Sequence, residues 1–260
     1  MVRCDLPGVE AVVAASSRSF ARHIHDQFGI GLIASGAQKS WSGRGMVEAG
    51  AGDMVTVNPG EVHDGSPIGD HGRAWRMLYL DPALVAAAIG DITEGGTRPA
   101  EFTQPVIRDA RLASHFHGLF RAVTAGGPGA PMLRDEMLLT LLAGAMRRGL
   151  APVPTPSAAI ERARQRIDDD PAAALTLSEL AQPNGLSRFQ LLRAFARATG
   201  LTPHAYQVQR RIQLARRLIA GGVTLAEAAV ASGFSDQAHM TRLFVRSRGI
   251  SPAVYAAAVR

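Results

Sequence analysis

The chain is poor in cysteine and has no long apolar segment. Its 260 residues include one cysteine, Cys4, which excludes an internal disulfide. The sequence also lacks a basic leader followed by an apolar run, and no segment reaches the ~18 apolar residues of a membrane span. We therefore expect a soluble, cytoplasmic protein without a membrane partner.

Lysine is absent from the carboxyl-terminal part of the chain, where arginine carries the positive charge. Residues 160–260 contain 14 arginines and 7 acidic residues, whereas residues 1–159 contain 14 basic and 15 acidic residues. A basic segment beside a nearly neutral one is typical of proteins in which one domain binds nucleic-acid phosphates. The length is sufficient for two domains, each with its own core.

A segment of the basic part occurs twice. Residues 175–206 recur as residues 223–255, with one residue added at the start of the second helix of the second copy. The residues that the first copy shares with the second are Thr176, Leu177, Glu179, Ala181, Gly185, Ser187, Arg193, Phe195, Arg197, Gly200, Pro203 and Tyr206. Two copies are too few for a solenoid, which needs about three or more repeats, and indicate a tandem pair of one supersecondary unit.

Each copy has the pattern of a helix, a tight turn and a second helix. Thr176 and Thr224 each precede a glutamate by three residues, which predicts a capping box at the start of a short helix. Gly185 and Gly233 predict the end of that helix, because glycine readily adopts the left-handed conformation. The pattern predicts a helix-turn-helix in each copy, with a pair of ordinary helical hairpins as the alternative.

The second helix of each copy is predicted to begin at a serine cap, Ser187 or Ser235, and to bury one stripe. The stripe consists of residues four positions apart: Leu191 and Phe195, then Met240 and Phe244. The side chains that this leaves facing outward are Arg188, Phe189, Leu192, Arg193 and Arg197 in the first copy, and Gln237, Ala238, His239, Thr241, Arg242 and Arg246 in the second. Arginine can bond guanine, glutamine can bond adenine and apolar groups can contact the thymine methyl, so this face is a candidate DNA-binding surface. Solvated surface charge is the alternative for a single arginine, but Arg193 and Arg242 occupy the same position in both copies.

These motifs resemble the DNA-binding domain of the AraC/XylS family of bacterial transcription regulators. The resemblance covers residues 160–260 and rests on Glu179-Leu-Ala181, Gly185-Leu-Ser187, Phe195, Gly200-Leu-Thr-Pro203 and Tyr206, and on Ala229, Gly233-Phe-Ser-Asp236, Phe244, Gly249-Ile-Ser-Pro252 and Tyr255. It implies two helix-turn-helix units joined by a long helix, here Pro203 to Ala220, with the second helix of each unit in successive major grooves. It also implies base reading by Phe189, Leu192, Arg193, Gln237, Ala238, His239 and Arg242.

Two features depart from the family pattern. Pro183-Asn184 lies where the first helix usually continues, so we expect that helix to be short. Phe189 and Leu192 are apolar, so we expect the first unit to read DNA by methyl contact and shape more than by hydrogen bonds. The other arginines expected to be phosphate contacts or plain surface charge are Arg162, Arg164, Arg166, Arg210, Arg211, Arg216, Arg217 and Arg248.

The amino-terminal part reads as short strands separated by glycine and proline. The predicted strands are Val9–Ala15, Phe28–Ala34, Trp41–Glu48, Asp53–Asn58 and Ala74–Leu80, and the predicted helices are Pro82–Ile89, 109–125 and 131–149. Many short strands at close spacing indicate a sandwich or barrel. The family resemblance implies that the last two helices form the self-association surface. The alternative is that their apolar residues pack against the strands.

Two histidine motifs resemble those of cupin barrels, which many regulators of this family carry as effector domains. They are His23-Ile-His25 and residues 52–63, which end in Pro59-Gly60-Glu-Val-His63. Alternate residues of a strand share a face, so these three histidines could form a metal site. The carboxylate that catalytic cupins add after the second histidine is missing at 29–31, and the spacing before the last histidine also departs from the enzyme motif. We therefore predict no metal and a small-molecule pocket instead.

The residues predicted to line that pocket are His23, His25, Trp41, Asn58, His63, Trp75 and Tyr79, although each aromatic ring could equally belong to the core. The expected fold class is α+β: a cupin-like β-barrel with two carboxyl-terminal helices of its own, then an all-α domain of two helix-turn-helix units joined by a long helix. The expected domains are an effector-binding and dimerisation domain at 1–150, a proline-rich linker at 151–157 and a DNA-binding domain at 158–260. Within the last, the two helix-turn-helix units are expected at about 176–197 and 224–247.

The function that these patterns predict is sequence-specific transcription regulation under a small-molecule effector, without catalytic residues or cofactors. The expected partners are double-stranded promoter DNA, the effector, RNA polymerase and a second copy of the chain. A cupin metalloenzyme with an accessory nucleic-acid-binding domain is the alternative.

Overall fold

The computed structural model describes residues 1–93, 100–125, 131–146 and 157–259. The chain divides into two compact units: Met1–Ser19 with His25–Pro152, and Phe20–Ile24 with Val153–Arg260. The proline-rich linker predicted at 151–157 lies outside the described residues, apart from Ser157. None of the helices in the described ranges combines the length and hydropathy that a membrane crossing requires.

The strands, in chain order, are β1 (Val9–Ser16), β2 (Phe20–His23), β3 (Phe28–Ser42), β4 (Gly45–Gly50), β5 (Met54–Val57), β6 (His63–Pro67), β7 (Arg73–Leu80) and β8 (Val106–Ile107). The helices are α1 (Pro82–Ile92), α2 (Ala110–Thr124), α3 (Pro131–Met146), α4 (Ala158–Asp169), α5 (Leu177–Ala181), α6 (Arg188–Thr199), α7 (Pro203–Ala220), α8 (Leu225–Ala231), α9 (Gln237–Arg248) and α10 (Pro252–Val259).

The first unit is organised around the long strand β3. The first part of β3 pairs antiparallel with β7 and β5, in the strand order β1-β7-β3-β5-β8. Its last part pairs antiparallel with β4 and β6. The pairing with β7 contains a register shift between Ile33 and Ser35 and continues to Gly36, and the pairing with β4 begins at Ala37, so one strand serves both sets of neighbours.

The predicted strand Trp41–Glu48 is wrong. β3 continues to Ser42, the chain turns, and β4 starts at Gly45, which has a φ of 102° that other residues rarely adopt. The Ser42 hydroxyl donates to the Gly45 carbonyl across this turn. The other predicted strands match β1, the first part of β3, β5 and β7, whereas β2, β6 and β8 were not predicted.

The core of the first unit lies between one face of its strands and the three helices that follow them. Alternate residues of β7, Leu78 and Leu80, are buried in this core. The helical residues in the same core include Leu112, Phe116, Leu119, Phe120, Val123, Leu138, Leu141, Leu142 and Ala145. The apolar residues of α2 and α3 therefore pack against the strands, the alternative to self-association that the sequence left open.

In the second unit, α7 is the helix against which its neighbours pack. It buries Tyr206, Ile212, Ala215 and Ile219, and the Tyr206 hydroxyl donates to Asp168 on α4 at 3.0 Å. Burial raises the pKa of the Tyr206 phenol and of the Asp168 carboxyl, even with an arginine paired to that carboxylate. The long connecting helix predicted from Pro203 to Ala220 is thus present with those bounds.

Candidate nucleic-acid interface

α5 and α6 form the first helix-turn-helix. The Thr176 hydroxyl accepts from the Glu179 amide at 3.2 Å, and the Glu179 carboxylate accepts from the Thr176 amide at 2.8 Å. The predicted capping box is confirmed, and these hydrogen bonds to the threonine lower the pKa of Glu179. α5 ends early in a 3-10 turn over Gln182–Asn184, as the proline predicted, and Gly185 follows with a φ of 66°.

α8 and α9 form the second helix-turn-helix, with one difference at the start of α9. Thr224 and Glu227 form the predicted capping box. The predicted cap at Ser235 is wrong, because the residue added in the second copy shifts the helix start by one position. The cap is Asp236, whose carboxylate accepts from the His239 amide at 2.6 Å and whose pKa is lowered mainly by that bond. Ser235 instead donates its hydroxyl to Asp236.

The buried stripes of the two second helices are confirmed. Ser187 caps α6 as predicted and accepts from the Gln190 amide at 3.2 Å. The stripe residues are all inaccessible to solvent: Leu191, Phe195, Met240 and Phe244. Because α6 begins at Arg188 and α9 at Gln237, the two helices can be compared position by position.

The side chains predicted to face DNA lie on the outward faces of α6 and α9. The exposed ones are Arg188, Phe189, Arg193, Arg197, Gln237, Ala238, Arg242 and Arg246, and the half-buried ones are Leu192, His239 and Thr241. Arg193 and Arg242 occupy the sixth position of their helices. Each helix therefore presents an exposed arginine at the same place on its surface.

His239 is held in position by its neighbours in the second unit. Its Nδ1 lies 3.1 Å from the Ser235 hydroxyl, and its ring packs edge-on against Phe234 at 5.5 Å. The ring orientation is therefore set by the protein, which favours a defined contact over a mobile surface charge.

Several other arginines of the second unit are structural. Arg211 donates to four backbone carbonyls. These carbonyls belong to Pro171, Ala172, Ala173 and Gly233. Arg216 is buried, and Arg210 pairs with a carboxylate of α4 at 2.8 Å. The expectation of phosphate contact or plain surface charge is therefore wrong for Arg211, whose guanidinium is bonded to backbone carbonyls, and for Arg216, which is buried.

Strand β2 belongs to the second unit, although the residues before and after it belong to the first. Arg22 donates at 2.9 Å to the carbonyl at the carboxyl cap of α6. Gln213 of α7 donates at 2.5 Å to the carbonyl of Ile24. A Cβ added to Gly249, the carboxyl cap of α9, would lie 3.1 Å from the ring of Phe20. The segment 20–24 thus contacts the ends of both candidate reading helices and the helix that joins them, which nothing in the sequence indicated.

Three of the predicted effector-site residues form a ring cluster in the first unit. The His25 and His63 rings stack with their centres 5.0 Å apart, and Tyr79 lies 4.7 Å from His25. His25 is buried and the other two are half-buried. The three rings provide apolar faces and polar edges together, as ligand sites often do.

Asn58, Trp41 and Trp75, also predicted for the effector site, have different surroundings within the first unit. The Asn58 amide donates to the Phe102 carbonyl at 2.9 Å and accepts from the Phe102 amide at 2.7 Å, so it fastens the chain before β8. Trp75 lies 4.9 Å from the guanidinium of Arg73, and half-buried Trp41 is in β3. His23 is buried in β2 and is therefore part of the second unit.

Arg73 is a buried charge that the sequence did not indicate. It is almost inaccessible to solvent and donates to Gln38 and to three backbone carbonyls. Burial lowers its pKa. These bonds tie β7 to neighbouring segments, so the residue supports the fold beside Trp75.

Comparison with known proteins gives consistent matches to both units. Residues 7–142 match the AraC-like ligand binding domain and residues 180–258 match a helix-turn-helix domain. The uncharacterized HTH-type transcriptional regulator YbfI of Bacillus subtilis is 29% identical over 228 residues, which cover 86% of this chain and 82% of that protein. The arabinose operon regulatory protein of Salmonella typhimurium is 25% identical over 228 residues, with 79% and 75% covered.

A solved structure has a similar fold over nearly the whole chain. Unsaturated fatty acid-bound ToxT of Vibrio cholerae matches with a TM-score of 0.62 at 11% identity, covering 98% of this chain and 96% of that chain. The curated relatives are named as transcriptional regulators. Since the ligand-binding match alone spans more than half of the residues, the chain belongs to the AraC family and is an AraC-type transcriptional regulator with an amino-terminal ligand-binding domain.

Proposed function

We propose that this regulator binds promoter DNA by placing α6 and α9 in successive turns of the major groove. The observation that carries the proposal is the pair Arg193 and Arg242, both exposed at the same position of two similarly capped helices. An arginine in the first two turns of such a helix can reach guanine in the groove or an adjacent phosphate.

The charge of these helices supports the same arrangement. Neither α6 nor α9 contains an acidic residue, and their arginines face outward at 188, 193, 197, 242 and 246. By contrast, Arg210 and Arg211 are engaged inside the unit. The outward arginines of α6 and α9 are therefore available to neutralise phosphates.

We assign the effector contacts to the ring cluster of His25, His63 and Tyr79. Asn58 is excluded from this set because its amide is occupied by Phe102. A ligand there changes DNA affinity only to the extent that it binds the two states of the protein unequally. We also propose RNA polymerase and a second copy of the chain as partners. The proposed location is the cytoplasm, since promoter regulation takes place where DNA is transcribed.

The DNA proposal is tested by selecting genomic fragments with the full-length protein and measuring duplex affinity by fluorescence anisotropy. Arg193→Ala and Arg242→Ala should each weaken binding to the selected duplex by roughly 5- to 150-fold and relax the base preference at one position. Arg3→Ala, an exposed arginine of the first unit, is the matched control and should leave affinity unchanged. Normal affinity of both variants would refute the proposal.

The effector proposal is tested through the two tryptophans, Trp41 and Trp75, which both lie in the first unit. Arabinose and an unsaturated fatty acid are the first probes, because one relative is named as an arabinose operon regulatory protein and the similar ToxT structure has an unsaturated fatty acid bound. A bound ligand should raise the melting temperature seen by tryptophan fluorescence and change affinity for the selected duplex. His63→Ala should remove both effects, and their persistence would exclude the ring cluster.

A further inference from the structure

The beginning of α6 presents an apolar patch to solvent. Phe189 is 65% exposed and Leu177 is 36% exposed. Both line an open depression together with Ser187, Arg188 and Leu192. We call Leu177, Phe189 and Leu192 the apolar patch. When an apolar partner covers an aromatic side chain that is this accessible, the free energy of the complex is lowered.

Positive charge lies beside the apolar patch. The guanidinium of Arg193 lies 5.6 Å from the centre of the Phe189 ring, and Arg188 and Arg197 are exposed on the same helix. A partner that suits both features carries negative charge and offers apolar groups between its charges. The DNA major groove does so, because the thymine 5-methyl group is displayed there between two phosphate backbones.

The second helix-turn-helix has no counterpart of Phe189 or Leu192. At the positions of Phe189 and Leu192, α9 has Ala238 and Thr241. Both helices nevertheless keep the exposed arginine at the next position. The two helix-turn-helix units therefore share the exposed arginine and differ in the apolar side chains.

We propose that the first helix-turn-helix unit selects its half-site through thymine methyl groups, which Phe189 and Leu192 cover. The second helix-turn-helix unit selects its half-site through the hydrogen bonds of Gln237 and Arg242. The inference rests on the proposed function, since α6 must enter the major groove, and it adds the chemical group that is recognised there.

The test replaces thymine by deoxyuridine in the selected duplex, one half-site at a time. This removes the methyl groups and leaves the hydrogen-bonding edges unchanged. The half-site of α6 is the one whose base preference changes in Arg193→Ala. Deoxyuridine there should weaken binding about fourfold per contacted methyl, the factor that corresponds to burial of one such group. The same replacement in the other half-site should change affinity less than twofold.

A double variant, Phe189→Ala with Leu192→Thr, gives α6 the residues of α9 and serves as the matched protein control. Phe189 is largely exposed, so its truncation leaves the folded core intact. This variant should bind thymine and deoxyuridine duplexes equally. Wild-type protein that binds the selected duplex but does not distinguish the two bases would overturn the inference. So would a double variant that keeps the full distinction, or a first half-site without thymine. Failure to bind any duplex would instead refute the proposed function.

Discussion

The two turn glycines offer a matched test of the helix-turn-helix geometry. Gly185 and Gly233 end the first helix of their units with φ values of 66° and 78°. A Cβ on Gly185 would meet nothing within 4 Å, whereas one on Gly233 would lie 2.7 Å from the Ala172 carbonyl oxygen. The same substitution therefore introduces the same backbone strain at both sites but a steric clash at only one.

The expected magnitudes follow from these two contributions. Alanine in the left-handed conformation costs roughly 1–2 kcal/mol, and this applies to Gly185→Ala and Gly233→Ala alike. The clash at Gly233 involves backbone, so it must move either Ala172 or the turn. Such a movement disturbs the hydrogen bonds that Arg211 donates to the carbonyls of Gly233 and Ala172. Hydrogen bonds to a charged group contribute about 1.5–3 kcal/mol, so we expect a total loss of roughly 3–5 kcal/mol for Gly233→Ala.

Amide hydrogen exchange in α8 and α9, and in α5 and α6, measures the stability of each helix pair in the full-length protein. Tryptophan fluorescence serves as the control, because Trp41 and Trp75 report on the first unit alone and their unfolding transition should not move. Equal losses of stability in the two variants would show that the turn of the second helix-turn-helix is not packed against residue 172, and would refute this reasoning.

Three further outcomes follow from the second unit. Asp236→Ala should destabilise α9 by about 1 kcal/mol while Ser235→Ala changes it less, and amide exchange that ranks them in the opposite order would restore the serine as the cap. Arg211→Met should lower the free energy of unfolding by about 2–4 kcal/mol because it loses four carbonyl contacts, whereas Arg197→Met, at an exposed site, should stay within about 0.5 kcal/mol in the same urea titration. The capping threonine holds the pKa of Glu227 below its ordinary value, so its contribution to stability is present above the unfolded-state pKa of roughly 4.3 and is lost as pH falls through the lower folded-state pKa. An NMR titration in which Glu227 titrates like free glutamate would contradict this.

The helical unit was largely predictable because its signals are local. A capping box, a turn glycine and a stripe of apolar residues act within a few positions of one another, as at Thr176 and Gly185. The early end of α5 was predictable for the same reason. The cap of α9 was not, because the choice between Ser235 and Asp236 depends on where the inserted residue is accommodated.

The strands were less predictable because their partners are distant in sequence. β2 and β8 have four and two residues, and their positions depend on segments far along the chain. The predicted strand Trp41–Glu48 joined two strands, since a hairpin turn at Gly45 interrupts the pattern by only two residues. Periodicity identifies a strand but does not locate the neighbour that fixes its length.

The exposure of side chains was predictable where helix periodicity decided it. Periodicity placed Arg193 and Arg242 on the outward face, and the structure has them there. The structural bonds of Arg211 and Asn58 were not predictable, because an arginine or asparagine that bonds backbone groups looks the same in sequence as one that faces a ligand.

The assignment of residues 20–24 to the second unit means that the polypeptide passes between the units at three peptide bonds, after residues 19, 24 and 152. A truncation or proteolytic cut near residue 152 severs one of these connections and leaves two. A fragment that begins there also loses Arg22 and leaves the amide of Gln213, which is 1% exposed, without its carbonyl acceptor. An unsatisfied buried amide costs about 1–3 kcal/mol. We therefore expect the excised carboxyl-terminal fragment to have a lower free energy of unfolding than the same residues in the intact chain.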